Sequence, residues 1–355
     1  AMAIFLSHST AAECWKSGRF DALLGGPSIA PWHRPAGAAD VERFATALAM
    51  DRLDIACAEA GAFAGSRAEA PRACKPFAGE VRRLREGVLA FASEPLHLLV
   101  PHKNAVNSLK STRCHVRSAP LSCGSFVRVG DDLLLGSPEL CFAQMAASLP
   151  FVSLVKLGTE LCSLYTLQPN GSAGYERVLP PTTPRALEAY LGRCAGMRGL
   201  ADARKAACLV AASSGSPMET ALALILGLPL RLGGYGLPRP ILNHRIDALQ
   251  SGPNAMERRY YLCDLYWPEA RVALEYDSDL EHTGPSRIAN DARRRNDLTS
   301  LSVTTITATR DQVMDGRGLD RLAHQVARAL GARIRSKRGW STRARGELFR
   351  SLVAS

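Results

Sequence analysis

The sequence predicts a protein of the α/β (α+β) class with more than one domain, and three observations support this prediction. The chain has 355 residues, whereas single domains commonly have about 100 to 200. Hydrophobic residues make up 46% of the chain and charged residues 22%, which is enough apolar material to bury a core. Short β-like runs begin at Leu96, and an ordered series of helices and strands follows Ser216.

A change of hydrophobic period divides the amino-terminal part of the chain. Residues 1–92 are predicted to be mostly helical, because Ala39–Ala64 is rich in helix formers and Val81–Phe91 has helical spacing of apolar residues. Residues 93–212 are predicted to form a small α+β domain with a helical connector. Its predicted strands are Leu96–Val100, His115–Arg117, Phe126–Val129 and Leu133–Leu135, and a helix from Ser137 to Ala147 follows them.

Residues 213–332 have the most regular pattern. Ser216-Pro217-Met218-Glu219 combines a cap residue, a first-turn proline and an acid ahead of an apolar helix. The predicted elements that follow are the strands Ile241–Leu249, Arg258–Tyr266 and Arg271–Asp277, the helix Ser286–Thr299, the strand Ser302–Thr309, and a helix with an apolar stripe from Leu319 to Leu330. The predicted order of elements is α-β-β-β-α-β-α.

Three acids lie on the second and third of these strands. Asp264 stands in an otherwise apolar and aromatic run, where a charge is costly unless it is paired or bound to a metal. Glu275 and Asp277 are two residues apart, so they share one face of their strand. A short connection between the strands allows all three carboxylates to converge, and oxygen ligands favour Mg²⁺ or Mn²⁺.

Each of these residues also has a simpler interpretation. Glu219 occupies the position that a capping box assigns to glutamate, so it is a cap, a ligand or both. A lone histidine such as His282 is commonly a hydrogen-bonded surface residue, and Asp291 with Arg294 and Arg295 fits ordinary helical ion pairs. Gly233-Gly234-Tyr235-Gly236 lacks the ending of a phosphate loop and precedes a strand, which indicates a connection.

The positive charge is concentrated near the carboxyl terminus. The chain has a net charge of +11, and residues 331–350 contribute seven basic residues and one acid, so 7 − 1 = +6 of that total. The predicted basic tail, residues 333–355, includes Arg335, Lys337 and Arg338. It indicates either contact with a polyanion such as nucleic acid or a solvated terminus that aids solubility.

No membrane partner is expected. The longest uncharged run, between Glu139 and Lys156, is interrupted by Ser148 and Pro150 and is too short to cross a bilayer. The amino terminus has no secretory pattern, and the ten cysteines include no CxxC pair. These features predict reduced thiols and a cytoplasmic protein.

Residues 216–330 resemble the nuclease-like domains related to very-short-patch repair (Vsr-like) endonucleases, within the PD-(D/E)XK superfamily. The matching segments are Ser216–Glu219, Gly236–Pro240, Asp264–Arg271 and Glu275–Asp277, together with His282, Asp291 and Arg294. The resemblance covers about a third of the chain, and the residues before Ser216 faintly resemble type IV abortive-infection antitoxin proteins.

The resemblance implies a PD-(D/E)XK-like domain and a metal-dependent endonuclease that hydrolyses DNA. Asp264, Glu275 and Asp277 would hold Mg²⁺ or Mn²⁺, with Glu219 supporting them. Asp277 replaces the usual superfamily lysine, so His282 becomes the candidate for proton transfer. Arg294 would balance phosphate charge, and we assign Arg294, Arg295, Arg335, Lys337 and Arg338 to DNA binding. Ser278 replaces the usual glycine, which leaves a second hypothesis: a degraded nuclease fold that binds DNA or a protein partner in toxin–antitoxin or phage defence.

Overall fold

The computed structural model describes residues 4–18, 76–117, 121–130, 133–167, 175–248, 259–277, 285–334 and 340–353. These residues form two compact units that divide between Val210 and Ala211. Both units combine helices with a mixed β-sheet, which confirms the predicted α+β class. We refer to them as the amino-terminal unit and the carboxyl-terminal unit.

The amino-terminal unit is built around a five-stranded mixed sheet. Its elements are β1 (Ile4–Leu6), α1 (His8–Lys16), α2 (Ala78–Glu86), β2 (Leu96–Val100), β3 (Thr112–Val116), β4 (Phe126–Gly130), β5 (Leu133–Gly136), α3 (Pro138–Met145), α4 (Phe151–Leu161), β6 (Tyr165–Leu167), β7 (Tyr175–Arg177), α5 (Pro184–Arg193) and α6 (Leu200–Ala207). The strand order is β3-β2-β1-β5-β4, and β6 and β7 form a separate hairpin.

Strand β1 joins the two regions that the sequence divides at residue 92. It pairs with β5 in parallel and with β2 in the antiparallel direction, so it lies at the centre of the sheet. Phe5 from β1 packs edge-on against Phe126 from β4, with ring centroids 4.9 Å apart. One sheet therefore draws on both sides of the predicted boundary. The helix predicted over Ala39–Ala64 lies outside the described residues.

The carboxyl-terminal unit contains a four-stranded mixed sheet with helices around it. Its elements are α7 (Pro217–Gly227), β8 (Ile241–Ala248), β9 (Arg259–Trp267), β10 (Val272–Asp277), α8 (Pro285–Ser300), β11 (Thr304–Thr309), α9 (Arg310–Met314), α10 (Gly316–Ala329) and α11 (Trp340–Leu352). The strand order is β11-β10-β9-β8. The predicted order α-β-β-β-α-β-α is present, with the short α9 inserted before the last predicted helix.

Local sequence explains how α7 and α10 are placed. Ser216 caps α7 by accepting a hydrogen bond from the Glu219 backbone N–H at 3.2 Å, and every residue from Thr220 to Leu226 is buried. Helix α10 buries one stripe, which includes Leu319, Leu322 and Val326, and exposes the opposite face. Helix α7 is therefore buried over most of its length, whereas α10 is an amphipathic helix of the same unit.

The predicted basic tail, residues 333–355, contains the helix α11 in its described part, and the sequence did not predict this helix. Leu348 and Leu352 in α11 are 2% and 6% exposed, so the helix packs against the unit. Arg345 lies 4.1 Å above the ring centroid of Tyr235 and contacts Asp320 at 2.9 Å. Part of the arginine content therefore serves packing. Arg335, Lys337 and Arg338 lie outside the described residues.

The Gly-rich loop before β8 packs directly on α11. At Gly233 φ is +90°, and a Cβ built there would lie 2.3 Å from the Ala344 carbonyl oxygen. The Tyr235 ring is buried, and its hydroxyl donates to Asp320. The loop is a packed connection, as the sequence predicts.

Two further observations concern the membrane and thiol predictions. Within the described ranges, we find no helix with the length and apolar character needed to cross a bilayer. Seven described cysteines are free, but Cys123 is disulfide-bonded, which corrects the prediction that all thiols are reduced.

Candidate functional site

The pairing of the three antiparallel strands brings three polar residues into one row of the sheet. Leu265 on β9 pairs with Leu274 on β10, so Asp264 and Glu275 occupy the next positions along the two strands. On the other side of β9, Leu242 pairs with Leu265 and His244 with Cys263, which places Asn243 level with Asp264. The row Asn243, Asp264, Glu275 thus crosses β8, β9 and β10.

Asp264 is held by the neighbouring strand. Its Oδ2 accepts a hydrogen bond from the Tyr276 backbone N–H at 2.8 Å. The donor belongs to β10, the strand that carries Glu275. This hydrogen bond fixes the Asp264 carboxylate beside β10. The predicted convergence of Asp264 and Glu275 is thus present in the structure.

Glu219 reaches the same row from the first turn of α7. Its Oε2 accepts hydrogen bonds from the Gly215 backbone N–H at 2.7 Å and from Asn243 Nδ2 at 2.6 Å. A Cβ built on Gly215 would lie 3.2 Å from both carboxylate oxygens, so glycine allows this close approach. The Glu219 carboxylate therefore turns toward the sheet, although a capping box would place it on the Ser216 N–H.

Glu275 is paired with the arginine that the sequence associates with phosphate. Arg294 Nη2 contacts Glu275 Oε2 at 2.6 Å and also donates to the Leu262 carbonyl oxygen at 2.6 Å. Glu275 Oε1 is buried without a hydrogen-bond partner of regular geometry. The Cys263 thiol lies close enough to the carboxylate to favour its ionised form. Of the two oxygens of this carboxylate, Oε2 is thus held by Arg294.

The charge of Asp264 acts on both glutamates of the site. Burial, and after it the charge of Asp264, raise the pKa of Glu219 to about 7, while hydrogen bonds from Gly215, Ser216 and Asn243 oppose the shift. Glu275 behaves in the same way: burial and then Asp264 raise its pKa to about 7, while Arg294 opposes the shift. Like charges in a desolvated site repel, so both glutamates hold protons near neutral pH.

The other predicted site residues are less closely involved. Asp277 lies two positions further along β10 and is half-buried, but it does not appear among the charges that shift the pKa of Glu219 or Glu275. Arg295 is exposed on α8. His282 and the Asp291 side chain lie outside the described residues.

The donor set of this site fits a hard divalent cation. In the described part of the chain, no group of three or more His, Cys, Asp or Glu side chains has the arrangement of a metal site as it stands. The donors are nevertheless carboxylate oxygens, which such a cation prefers, and Glu275 Oε1 is buried without a hydrogen-bond partner. A cation would also remove the repulsion that raises the pKa of both glutamates.

Sequence reasoning missed Asn243. This residue adopts φ = +47° within β8, is 8% exposed, and donates from Nδ2 to the Ser213 carbonyl oxygen at 3.0 Å and to Glu219. Asparagine tolerates the left-handed region better than most residues, and its amide supplies the two bonds. The sequence signal that could have identified Asn243 is its polar side chain within a predicted strand.

Sequence reasoning also missed a group of three histidines in the amino-terminal unit. The rings of His8 and His115 are stacked with centroids 3.5 Å apart, and His115 Nε2 lies 3.0 Å from His97 Nδ1. Burial lowers the pKa of His8 to about 3 and that of His115 to about 4, and the neighbouring histidines and Arg113 act in the same direction. The three rings are therefore neutral at pH 7.

This group predicts that acid destabilises the amino-terminal unit. Because the folded pKa of His8 lies below 6.5, the unfolded chain binds more protons as the pH falls from about 6.5 toward 3, and stability decreases. At 1.4 kcal/mol per pKa unit, the loss between pH 7 and pH 5 is at most about 2 kcal/mol from His8. Hydrogen exchange of β2 and β3 amides at the two pH values measures this loss.

The matched variant is His8→Asn, because asparagine tolerates the φ of +49° at this position and does not titrate. We expect a smaller loss of protection at pH 5 in the variant than in the parent protein. An equal loss in both proteins would show that His8 does not contribute.

The comparisons with known proteins give a limited match. Two uncharacterized proteins from strains of Mycobacterium tuberculosis are 30% identical to this chain over 135 residues, which cover 38% of this chain and 44% of each relative. The match thus spans less than half the length of these curated relatives. No protein-family model matches the chain. No solved structure matches it either.

Proposed function

We propose that the carboxyl-terminal unit is a metal-dependent endonuclease that hydrolyses DNA phosphodiester bonds. The observation that carries the proposal is the effect of Asp264 on both Glu219 and Glu275, whose pKa values it helps to raise to about 7. A buried carboxylate beside a second negative charge costs stability, and such perturbed groups are concentrated at functional sites.

The surrounding fold supports the same proposal. The two strand acids lie side by side on β9 and β10, and the helix acid comes from the start of α7. The order α-β-β-β-α-β-α and these positions agree with the resemblance to PD-(D/E)XK nuclease domains. The finer assignment to Vsr-like enzymes rests on the sequence motifs alone.

Asp264 and Glu275 are the proposed ligands of Mg²⁺ or Mn²⁺, with Glu219 completing the oxygen set from α7. When bound, such an ion polarises a phosphate oxygen and lowers the pKa of water. Arg294 is held between Glu275 and the Leu262 carbonyl oxygen, so its cation is positioned at the edge of the acid group. Asp277 keeps its proposed role as a further ligand of the ion, and His282 its role as the proton carrier.

The protonation of the site sets an expected pH dependence. Glu219 and Glu275 are largely protonated below pH 7 and ionised above it, because burial and Asp264 raise their pKa values. Divalent cations bind the ionised forms, so we expect cation binding and hydrolysis to increase between pH 6 and pH 8.

A second function is favoured by the contacts that already occupy the acids. Asp264 accepts from the Tyr276 N–H, and Glu275 pairs with Arg294, so the protein satisfies part of the site by itself. The alternative proposal is a catalytically degraded nuclease fold that binds DNA or a protein partner without turnover. Binding of duplex DNA with steep salt dependence and without cleavage would favour it.

A plasmid-nicking assay with Mg²⁺ or Mn²⁺ tests the enzymatic proposal. We expect the native protein to convert supercoiled plasmid to open circles, and Asp264→Asn to lose this activity by at least about a hundredfold, since it removes one ligand charge. Asn retains an acceptor for the Tyr276 N–H, so the fold is preserved.

The matched control is Asp311→Asn, which removes the same charge from an exposed residue of α9. It should cleave like the native protein. Equal cleavage by native protein and Asp264→Asn would refute the assigned site, and absence of cleavage in the native protein would favour the binding function.

A further inference from the structure

Helix α10 exposes a continuous basic stripe on the face opposite its apolar side. Arg317, Arg321, His324 and Arg328 are all exposed and follow one another at intervals of four, three and four residues. At 3.6 residues per turn, these positions lie within about 60° of one another around the helix axis. We call these four residues the α10 stripe.

The stripe is straight and firmly supported. Its first and last residues are separated by eleven positions, or about 16 Å at 1.5 Å per residue. The opposite face of α10 is anchored by Leu319, Leu322 and Val326, each 2% exposed or less. The guanidinium groups therefore project from a rigid helix, which reduces the entropy cost of binding a ligand.

Arg317 and Arg321 do not stabilise the helix that carries them, whereas Arg328 lies in its last turn, where the helix dipole favours positive charge. Arg317 lies in the first turn, where the helix dipole disfavours positive charge, and Arg317 and Arg321 form a like-charged pair at i,i+4. Within the described part of the chain, the ion pair that the stripe forms is a loose contact of 3.8 Å between Arg321 and the exposed Asp315. These charges therefore require a reason other than folding.

We propose that the α10 stripe is a contact surface for the phosphate backbone of duplex DNA. Each strand of a duplex carries one phosphate per about 3.4 Å of the duplex axis, so a row of positive charge about 16 Å long can face several of them. Arginine is well suited to this contact because its planar fork matches phosphate oxygens. The inference rests on the proposed function in that it names the contact by which this unit holds its DNA substrate.

The test measures binding of a fluorescent DNA duplex by anisotropy over a series of salt concentrations. A chelator is included so that no cleavage occurs. The test variant combines Arg317→Ala, Arg321→Ala and Arg328→Ala in the full chain. We expect at least a tenfold loss of affinity and a decrease of roughly 3 in the slope of log K against log salt, about 0.9 for each lost phosphate contact.

A matched control removes the same net charge from the amino-terminal unit. Arg82→Ala, Arg83→Ala and Lys110→Ala combine three exposed basic residues from another part of the chain. This control should retain the native affinity and salt slope. A stripe variant that binds like the native protein, or a control that loses as much affinity as the stripe variant, would overturn the proposal.

The outcome is separable from that of the nuclease proposal. If the native protein binds through the stripe but cleaves nothing, the contact surface stands and the enzymatic function falls. If it cleaves while the stripe variant binds normally, the contact surface alone is refuted.

Discussion

Replacing Asp264 with asparagine is expected to stabilise the carboxyl-terminal unit at pH 8 while it abolishes DNA cleavage. In the folded protein, burial and the Asp264 charge raise the pKa of Glu219 and of Glu275 to about 7. Because the folded state retains protons that the unfolded chain releases, stability decreases as the pH rises from about 4.5 to 7 and stays low above it.

The asparagine variant removes the charge but keeps the shape of the side chain. Burial, the larger cause of both shifts, is unchanged, so the pKa values fall only in part. If the pKa of either glutamate falls by about one unit toward its ordinary value, the free energy of unfolding at pH 8 increases by roughly 1 to 2 kcal/mol. Hydrogen exchange of β9 and β10 amides measures the gain, and the effect should disappear near pH 4.

A divalent cation provides the complementary measurement. Mg²⁺ should stabilise the native protein against unfolding more at pH 8 than at pH 5.5, because the ionised carboxylates bind the ion. Mg²⁺ should stabilise the Asp264→Asn variant against unfolding much less. A variant that is destabilised at pH 8, with Asp311→Asn unchanged, would contradict the charge repulsion on which the site rests.

Gly233→Ala is expected to destabilise the carboxyl-terminal unit by about 3 kcal/mol. The alanine Cβ would lie 2.3 Å from the Ala344 carbonyl oxygen, and φ at this position is +90°. Overpacking against a backbone atom and the cost of a left-handed residue add together. Urea unfolding followed by tryptophan fluorescence measures the change, and hydrogen exchange over α11 shows whether that helix detaches first.

Gly236→Ala is the matched control in the same loop. Its φ is +65°, but the nearest atom to an added Cβ is Leu230 Cγ at 3.8 Å, an ordinary contact. It should cost about 1 kcal/mol from backbone strain alone. Equal losses in the two variants would show that α11 does not pack against Gly233.

The elements of the carboxyl-terminal unit were predictable because their signals are local. The Ser216 cap, the aromatic run of β9 and the apolar stripe of α10 each specify one element within about ten residues. Helix α4 was not predicted, although Pro150 is its N-cap residue, because its apolar residues continue the run that precedes it. Helix α11 was not predicted because arginines outnumber the spaced residues Leu348 and Leu352.

The candidate site was predictable to the extent that strand neighbours are predictable. A short connection between β9 and β10 requires antiparallel pairing, and this pairing brings Asp264 beside Glu275. The involvement of Asn243 depends on the register of β8, which lies more than twenty residues earlier. The histidine group joins His8 from α1, His97 from β2 and His115 from β3, and no spacing in the sequence indicates such a contact.

The contact of Arg345 with Tyr235 has a practical consequence for shortened versions of this protein. Arg345 covers the Tyr235 ring and shares Asp320 with its hydroxyl, so three segments far apart in sequence depend on one guanidinium. A truncation that removes α11 would leave an aromatic ring and an acid exposed to solvent. Fragments designed for crystallisation or binding studies should therefore extend through Leu352.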